Sequence, residues 1–307
     1  MDLGVLTNQL IQLFLVICMG YLLYKINIFN VEVNQKLTKL LLNVSLPAMI
    51  VSSVFEQTER PPVNEVLAVF AVAVAMYILL PVVSILLVKL MRIPKQQQGL
   101  YMFMNTFSNV GFMGFPIISA LYGEKGVFYA AIINIIFNLS VFTYGVIMIH
   151  YASGEKAELN IKKLLSPGIL CSLFAIVVYA FDISLPTAVE SAVGTLGGLT
   201  TPLAMLLIGS TLATMEIKSV FNDKRVYLFS VIKQLVLPII LFFAAKIFIR
   251  NEYILGITYI MLLMPIANTA LLFATEYGRD EKLAAKTVFI TTLMSLITIP
   301  LGIWICM

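Results

Sequence analysis

The sequence predicts an all-α integral membrane protein with ten transmembrane helices, and three observations carry that prediction. First, 60% of the 307 residues are hydrophobic and only 12% charged, against roughly 25% charged in an average soluble domain. Second, the mean hydropathy of +0.98 is concentrated in apolar runs of about 20 residues, the length a hydrocarbon core demands. Third, the two halves of the chain resemble each other at a nearly constant offset.

Clusters of charge, Pro and Gly divide the chain into spans over roughly 5–24, 37–55, 64–90, 99–122, 126–150, 165–181, 187–213, 225–249, 253–276 and 283–306. No basic region or small-residue cleavage pattern marks the first span as a signal peptide, so it reads as a retained helix. Cys18, Cys171 and Cys306 lie in apolar segments at spacings that fit neither a disulfide framework nor a metal site, and are expected to be buried free thiols.

The distribution of positive charge orients the spans. With the N-terminus outside, the inner ends carry Lys25, Lys36, Lys39, Lys89, Arg92, Lys95, Lys156, Lys162, Lys163, Lys218, Lys224, Arg225, Arg279, Lys282 and Lys286. The outer ends carry Arg60, Lys125, Lys246 and Arg250. This asymmetry predicts a multi-pass protein of the cell membrane with both termini on the non-cytoplasmic side. The formal net charge of +4 is scattered over segment ends, which argues against a nucleic-acid partner.

The repeat rests on three coincidences. Pro47 and Pro202 are 155 residues apart, as are Tyr122-Gly123 and Tyr277-Gly278, while Pro81 and Pro238 are 157 apart. An odd number of spans per half forces the second half to enter the membrane upside down, an inverted repeat of residues 1–151 and 165–307 joined by a cytoplasmic linker, 152–164. In such folds the ligand site lies at mid-membrane, where interrupted helices meet.

Interruptions occur at spans 4 and 9. Span 4 contains Asn109, Gly111, Gly114 and Pro116; span 9 contains Pro265, Asn268 and Thr269. Pro removes a helical donor and Gly eases unwinding. The run therefore reads as a broken helix lining a cavity, with close packing of a kinked helix as the alternative. Exposed helix starts attract anions, and the two asparagines add neutral donors. Lys233 is the one charge deep in a span; it either meets a substrate carboxylate or snorkels to the interface. Asn43 and Pro47 in span 2, with Thr201 and Pro202 in span 7, line the cavity or merely kink packed helices. Asn134 and Asn138 share a face suited to helix-to-helix hydrogen bonds, and Gly194 and Gly198 suit close packing. His150 ends span 5, and Glu56, Asp182, Glu190 and Glu276 lie near span ends. Neither a zinc ligand set nor a phosphate loop is visible, so no enzyme, metal or cofactor is predicted.

With these residues assembled, the chain resembles the auxin efflux carrier family of the bile acid/arsenite/auxin carrier superfamily, in its prokaryotic form. The resemblance rests on Asn43 to Pro47, Asn109 to Pro116, Thr201-Pro202 followed by Ile208-Gly209, Lys233 to Pro238, and Pro265 to Gly278. It implies a five-plus-five inverted repeat, broken helices crossing at spans 4 and 9, and a mobile transport portion moving against a scaffold. It implies an organic anion as cargo (auxin in plants, malate or malonate in bacteria), bound at Asn109, with a proton or sodium as coupling ion and a homodimer as a suitable assembly. The long cytoplasmic loop of many plant members is missing, and the acidic sodium-site pattern of the bile acid branch is not visible in span 9. The expectation is alternating-access transport of a mono- or dicarboxylate, with a channel-like facilitator or a sodium-coupled symporter of the bile acid type as the alternatives.

Overall fold

The computed structural model describes residues 3–55, 61–151, 167–214 and 223–306. Glu56, Arg60, Lys156, Lys162, Lys163, Lys218 and the 152–164 linker lie outside the described residues. The described chain is almost entirely helical. The helices are α1 (Leu3–Lys25), α2 (Val31–Phe55), α3 (Val63–Leu90), α4 (Lys95–Thr106), α5 (Val110–Ile149), α6 (Pro167–Phe181), α7 (Thr187–Thr214), α8 (Lys224–Phe248), α9 (Glu252–Leu263), α10 (Thr269–Glu276) and α11 (Glu281–Cys306). The protein is thus an all-α membrane protein. The predicted spans overlap helical stretches, with spans 4 and 9 each interrupted, and seven stretches among the described residues are long and apolar enough to cross a bilayer: α3, α5, α8, α11, most of α1, and the α2 and α7 stretches.

Local chemistry sets the boundaries. Asn30, Asp223 and Asn251 begin α2, α8 and α9 by accepting backbone N–H groups within three residues, which satisfies donors that a helix start leaves open. Asn27, Gly123, Asp182 and Gly278 take positive φ at turns, a conformation that Gly, Asn and Asp tolerate best. Gly123 and Gly278 are the repeat-related glycines, and Gly123 puts a kink into α5.

Proline shapes the interiors. The helix widens into a π turn at Leu41–Ser45, Val110–Gly114 and Ile232–Val236, and each turn ends two residues before a proline: Pro47, Pro116 and Pro238. A proline ring collides with the carbonyl four residues earlier and leaves it without a donor; one wider turn relieves both problems. A fourth π turn, Val141–Gly145, has no such proline.

The most extensive helix pairing joins α1 to the second part of α7. Gly20 lies against the Leu206 backbone and Gly209 against the Ile17 backbone, so neither position has room for a Cβ. The expected Gly194–Gly198 pair is not the tight contact. The neighbouring Gly197 is, with a Cβ there falling 2.9 Å from the Met49 Cα, whereas Gly198 faces open space. Asn134 and Asn138 also differ from expectation: Asn138 Nδ2 donates to Asn134 O at 2.8 Å and to its Oδ1 at 3.0 Å, within one helix. The cysteines are free, but Cys18 is exposed and the other two half-buried, and Cys306 lines a cavity beside Phe242 and Tyr253.

Side-chain bonds mark the two ends of the molecule. At one end Lys25 donates to Ala213 O at 3.3 Å and Gln97 to Asp280 Oδ2 at 3.3 Å. At the other, Glu65 pairs with Lys125 at 2.9 Å and accepts from Tyr129 and Asn251.

Candidate functional site

Two helical courses stop midway and face each other. The first break separates α4 from α5, the second α9 from α10. Phe107 and Met264 turn extended there, which frees backbone groups that a dry interior must satisfy. The breaks satisfy each other. Asn109 N–H donates to Pro265 O at 2.7 Å and Ala267 N–H to Phe107 O at 3.1 Å, around a single antiparallel bridge between Ser108 and Ile266. Ile266 N–H reaches Thr291 Oγ1 at 3.3 Å. Pro265 fits this place because it has no N–H to satisfy while its carbonyl accepts.

The same geometry fixes Asn109. Its Oδ1 accepts the Phe112 N–H at 3.1 Å and so caps the start of α5. With that oxygen engaged, the Nδ2 donor is the half of the amide left for a ligand. Asn268 begins α10 without a side-chain cap, and its exposed amide has no protein partner among the described residues. Thr269 Oγ1, beside it, is buried and unpartnered.

Asn109, Asn268 and Thr269 meet on the wall of one cavity of about 250 Å³. Thr38 and Leu42 of α2, Leu207, Ile208, Thr211 and Leu212 of α7, and Val288, Phe289 and Thr292 of α11 complete most of the wall, with Phe112 and Leu272 beside the breaks. Among the described residues no charged side chain lines it. Thr211 and Thr292 spend their hydroxyl hydrogens on Leu207 O and Val288 O of their own helices. Unspent donors are therefore gathered at the crossover, where α5 and α10 both begin, and apolar side chains face them. Neutral amides together with two helix starts suit an anion whose remainder is apolar or small. A second cavity of about 370 Å³, beside Tyr122, Lys246, Glu252 and Tyr253, does not touch the breaks.

The other predicted residues lie off the cavity wall. Gly111 faces open space, whereas a Cβ on Gly114 would come 3.1 Å from Met261 Sδ; packing explains the second glycine and not the first. Pro116 and Pro265 are buried in the backbone of the breaks. Asn43 is exposed and turns back to Lys39 O at 2.8 Å; Pro47 is buried behind its π turn. Thr201 is half-buried and Pro202 exposed in the first turn of Thr200–Thr214.

Lys233 is 3% exposed and reaches no interface. Its Nζ donates to Ser108 Oγ at 2.8 Å, to Met264 O, and at 3.5 Å to Leu262 O, so it touches both breaks. Ser108, which precedes the Asn109–Pro116 run of span 4, was given no role in the sequence reading. Its signal was a hydroxyl between Phe107 and Asn109 in an apolar span. Thr38, Thr211 and Thr292 were missed because an isolated threonine in a membrane helix ordinarily bonds its own backbone, as Thr211 and Thr292 do.

Comparison with known proteins agrees with this architecture. The chain matches the family described as membrane transport protein over residues 5–303. It is 20% identical over 296 residues to an "Uncharacterized transporter" of Methanothermobacter thermautotrophicus, covering 96% of each chain. It is 23% identical over 301 residues to an "Uncharacterized transporter" of Methanocaldococcus jannaschii, covering 96% of this chain and 97% of the relative. A "Putative malonate transporter" of Rhizobium meliloti is 25% identical over 307 residues, with 96% of this chain and 93% of the relative covered.

Proposed function

The chain belongs to the membrane transport protein family, the auxin efflux carrier family of the motif resemblance, and on that premise we propose that it is a secondary active transporter carrying a small organic anion by alternating access. One observation carries the reading: Asn109 and Asn268, from opposite breaks, present unspent amide N–H groups to one cavity that also receives two helix starts. A carboxylate offers the acceptors those donors lack, and a relative whose printed name specifies malonate supports that chemistry.

Alternating access would follow from an inverted repeat of ten spans, 1–151 against 165–307. Paired positive-φ residues support that arrangement: Gly123 with Gly278 and Asn27 with Asp182, each pair 155 positions apart. The cavity wall runs to Thr38 and Thr211, near the end held by Lys25 and Ala213, while the far end is tied by Glu65, Lys125 and Asn251. That asymmetry suits a carrier facing one side. We place it in the cell membrane with both termini on the non-cytoplasmic side, coupled to a proton or sodium gradient, with a homodimer as its assembly.

The test is uptake of labelled malonate, malate and monocarboxylates into proteoliposomes, with and without proton and sodium gradients. Saturable uptake that shows counterflow is expected. Absence of uptake for every carboxylate tested would refute the proposal, and electrical currents far beyond a carrier's turnover would replace it with a channel.

A further inference from the structure

We propose that Lys233 is a positioning residue whose ammonium pins the two broken helices together and thereby sets the aim of Asn109, without touching the cargo. The inference rests on the transport reading above and adds a role that reading does not contain.

The argument begins with Pro238. Its missing N–H and its ring force the π turn Ile232–Val236, and Lys233 and Gln234 are the buried residues of that turn. Lys233 is thereby held inside the protein. Its Nζ meets Ser108 Oγ at 2.8 Å in the first break, and Met264 O and Leu262 O in the second. Those are the chain neighbours of the hydrogen bond that ties Asn109 to the second break: Ser108 precedes Asn109, and Met264 precedes Pro265, whose carbonyl takes the Asn109 N–H at 2.7 Å. The bridge between the breaks is a single residue long, too short to hold register unaided. The ammonium acts as a second fastening across it.

Charge supports the same role. Leu262 and Met264 present carbonyls at the C-terminal end of α9, which carries partial negative charge. A cation buried there offsets that charge, as a cation near a helix C-terminus ordinarily does. Ser108 Oγ and the Met264 carbonyl accept from the ammonium, with the Leu262 carbonyl at 3.5 Å, and Lys233 is absent from the cavity wall, so its donors serve the protein and not the anion. A buried ammonium is costly unless hydrogen-bonded, which this one is.

The experiment compares wild type, Lys233→Met, Lys233→Arg, Ser108→Ala, the Lys233→Met/Ser108→Ala double variant, and Lys233→Met in an Asn109→Ala background. Two readouts are taken: KM and maximal rate for the anion the wild type carries in proteoliposomes, and the thermal midpoint in detergent without substrate. The clamp predicts a KM raised about tenfold by Lys233→Met, a smaller rise with Ser108→Ala, and a double variant no worse than Lys233→Met, because both remove one unit. Lys233→Arg should recover part of the loss, and Lys233→Met should add nothing to Asn109→Ala. Multiplying KM effects, or a KM unchanged while the maximal rate falls, overturns the proposal. If the wild type carries no anion, the transport reading fails by itself and the thermal midpoints still judge the clamp: non-additive shifts support it and additive shifts overturn it. If Lys233→Met does not fold, Lys233→Arg and Ser108→Ala with their double variant run the same cycle.

Discussion

Changing Asn109 to Asp replaces an NH2 group by an oxygen of nearly the same size, which separates the cap this side chain makes from the donor role proposed for it. One job is to cap α5, where Oδ1 accepts the Phe112 N–H at 3.1 Å. The other is to offer Nδ2 to the cavity. Asn109→Ala removes both: losing the cap costs about 1 kcal/mol of stability, and losing a donor to a charged acceptor costs about 1.5–3 kcal/mol of binding, or roughly 10–150-fold in KM. Asn109→Asp keeps an acceptor for Phe112. A carboxylate at a helix start is favoured by about 0.3–1 kcal/mol, which works against the desolvation of a residue only 5% exposed. The aspartate has no donor to give at neutral pH and repels an anion. The expected result is a near-normal thermal midpoint for Asn109→Asp in detergent with uptake lost, and a lowered midpoint for Asn109→Ala with KM raised roughly 10–150-fold. Anion uptake by Asn109→Asp with a KM within about threefold of wild type would sink the assignment of Nδ2 to the cargo.

Gly209→Ala places a methyl group on the Ile17 carbonyl at the α1–α7 crossing; overpacking of this kind costs about 1–3 kcal/mol, and the detergent thermal midpoint should fall clearly below wild type. Gly111→Ala meets nothing within 4 Å and should hold or raise the midpoint by the equivalent of up to about 1 kcal/mol, whereas Gly114→Ala presses on Met261 Sδ at 3.1 Å and should come out below it; equal shifts in the two would contradict this packing. Glu65→Gln removes the 2.9 Å pair with Lys125, whose partners are both partly exposed, so it should cost no more than about 1 kcal/mol, and raising the salt concentration should narrow the gap to wild type.

The places where the helices end were legible in the sequence because bilayer length, charge clusters and Pro-Gly punctuation all mark the same positions. Pro47, Pro116 and Pro238 announced a disturbance, but not its form. Whether a proline kinks a helix or widens one turn depends on what the freed carbonyl meets, and that is tertiary information. Asn109 was legible because an amide beside Gly and Pro has few uses in lipid. Asn43 carried the same chemical signal and turned back onto Lys39 O, since an exposed amide on a continuous helix finds its nearest acceptor four residues earlier. For Lys233 the sequence leaves a substrate contact and an interface open; the structure buries it against Ser108 and two backbone carbonyls, off the cavity wall. No local pattern could reveal that its acceptors lie at positions 108, 262 and 264.

Keeping that ammonium off the cavity wall has a consequence for a carrier. A cation placed about 4 Å from a carboxylate contributes on the order of 4 kcal/mol at an effective dielectric of 20, close to a thousandfold in affinity. A protein that must release its cargo on every cycle gains nothing from holding it that firmly in both orientations, because only a difference between states drives turnover. Amide donors and the partial charges of two helix starts give a shallower well. On the proposed reading, Lys233 supplies rigidity at the crossover and the two asparagines supply attraction. In this division the strong charge is spent on backbone carbonyls that never leave, and the weak donors face the ligand that must.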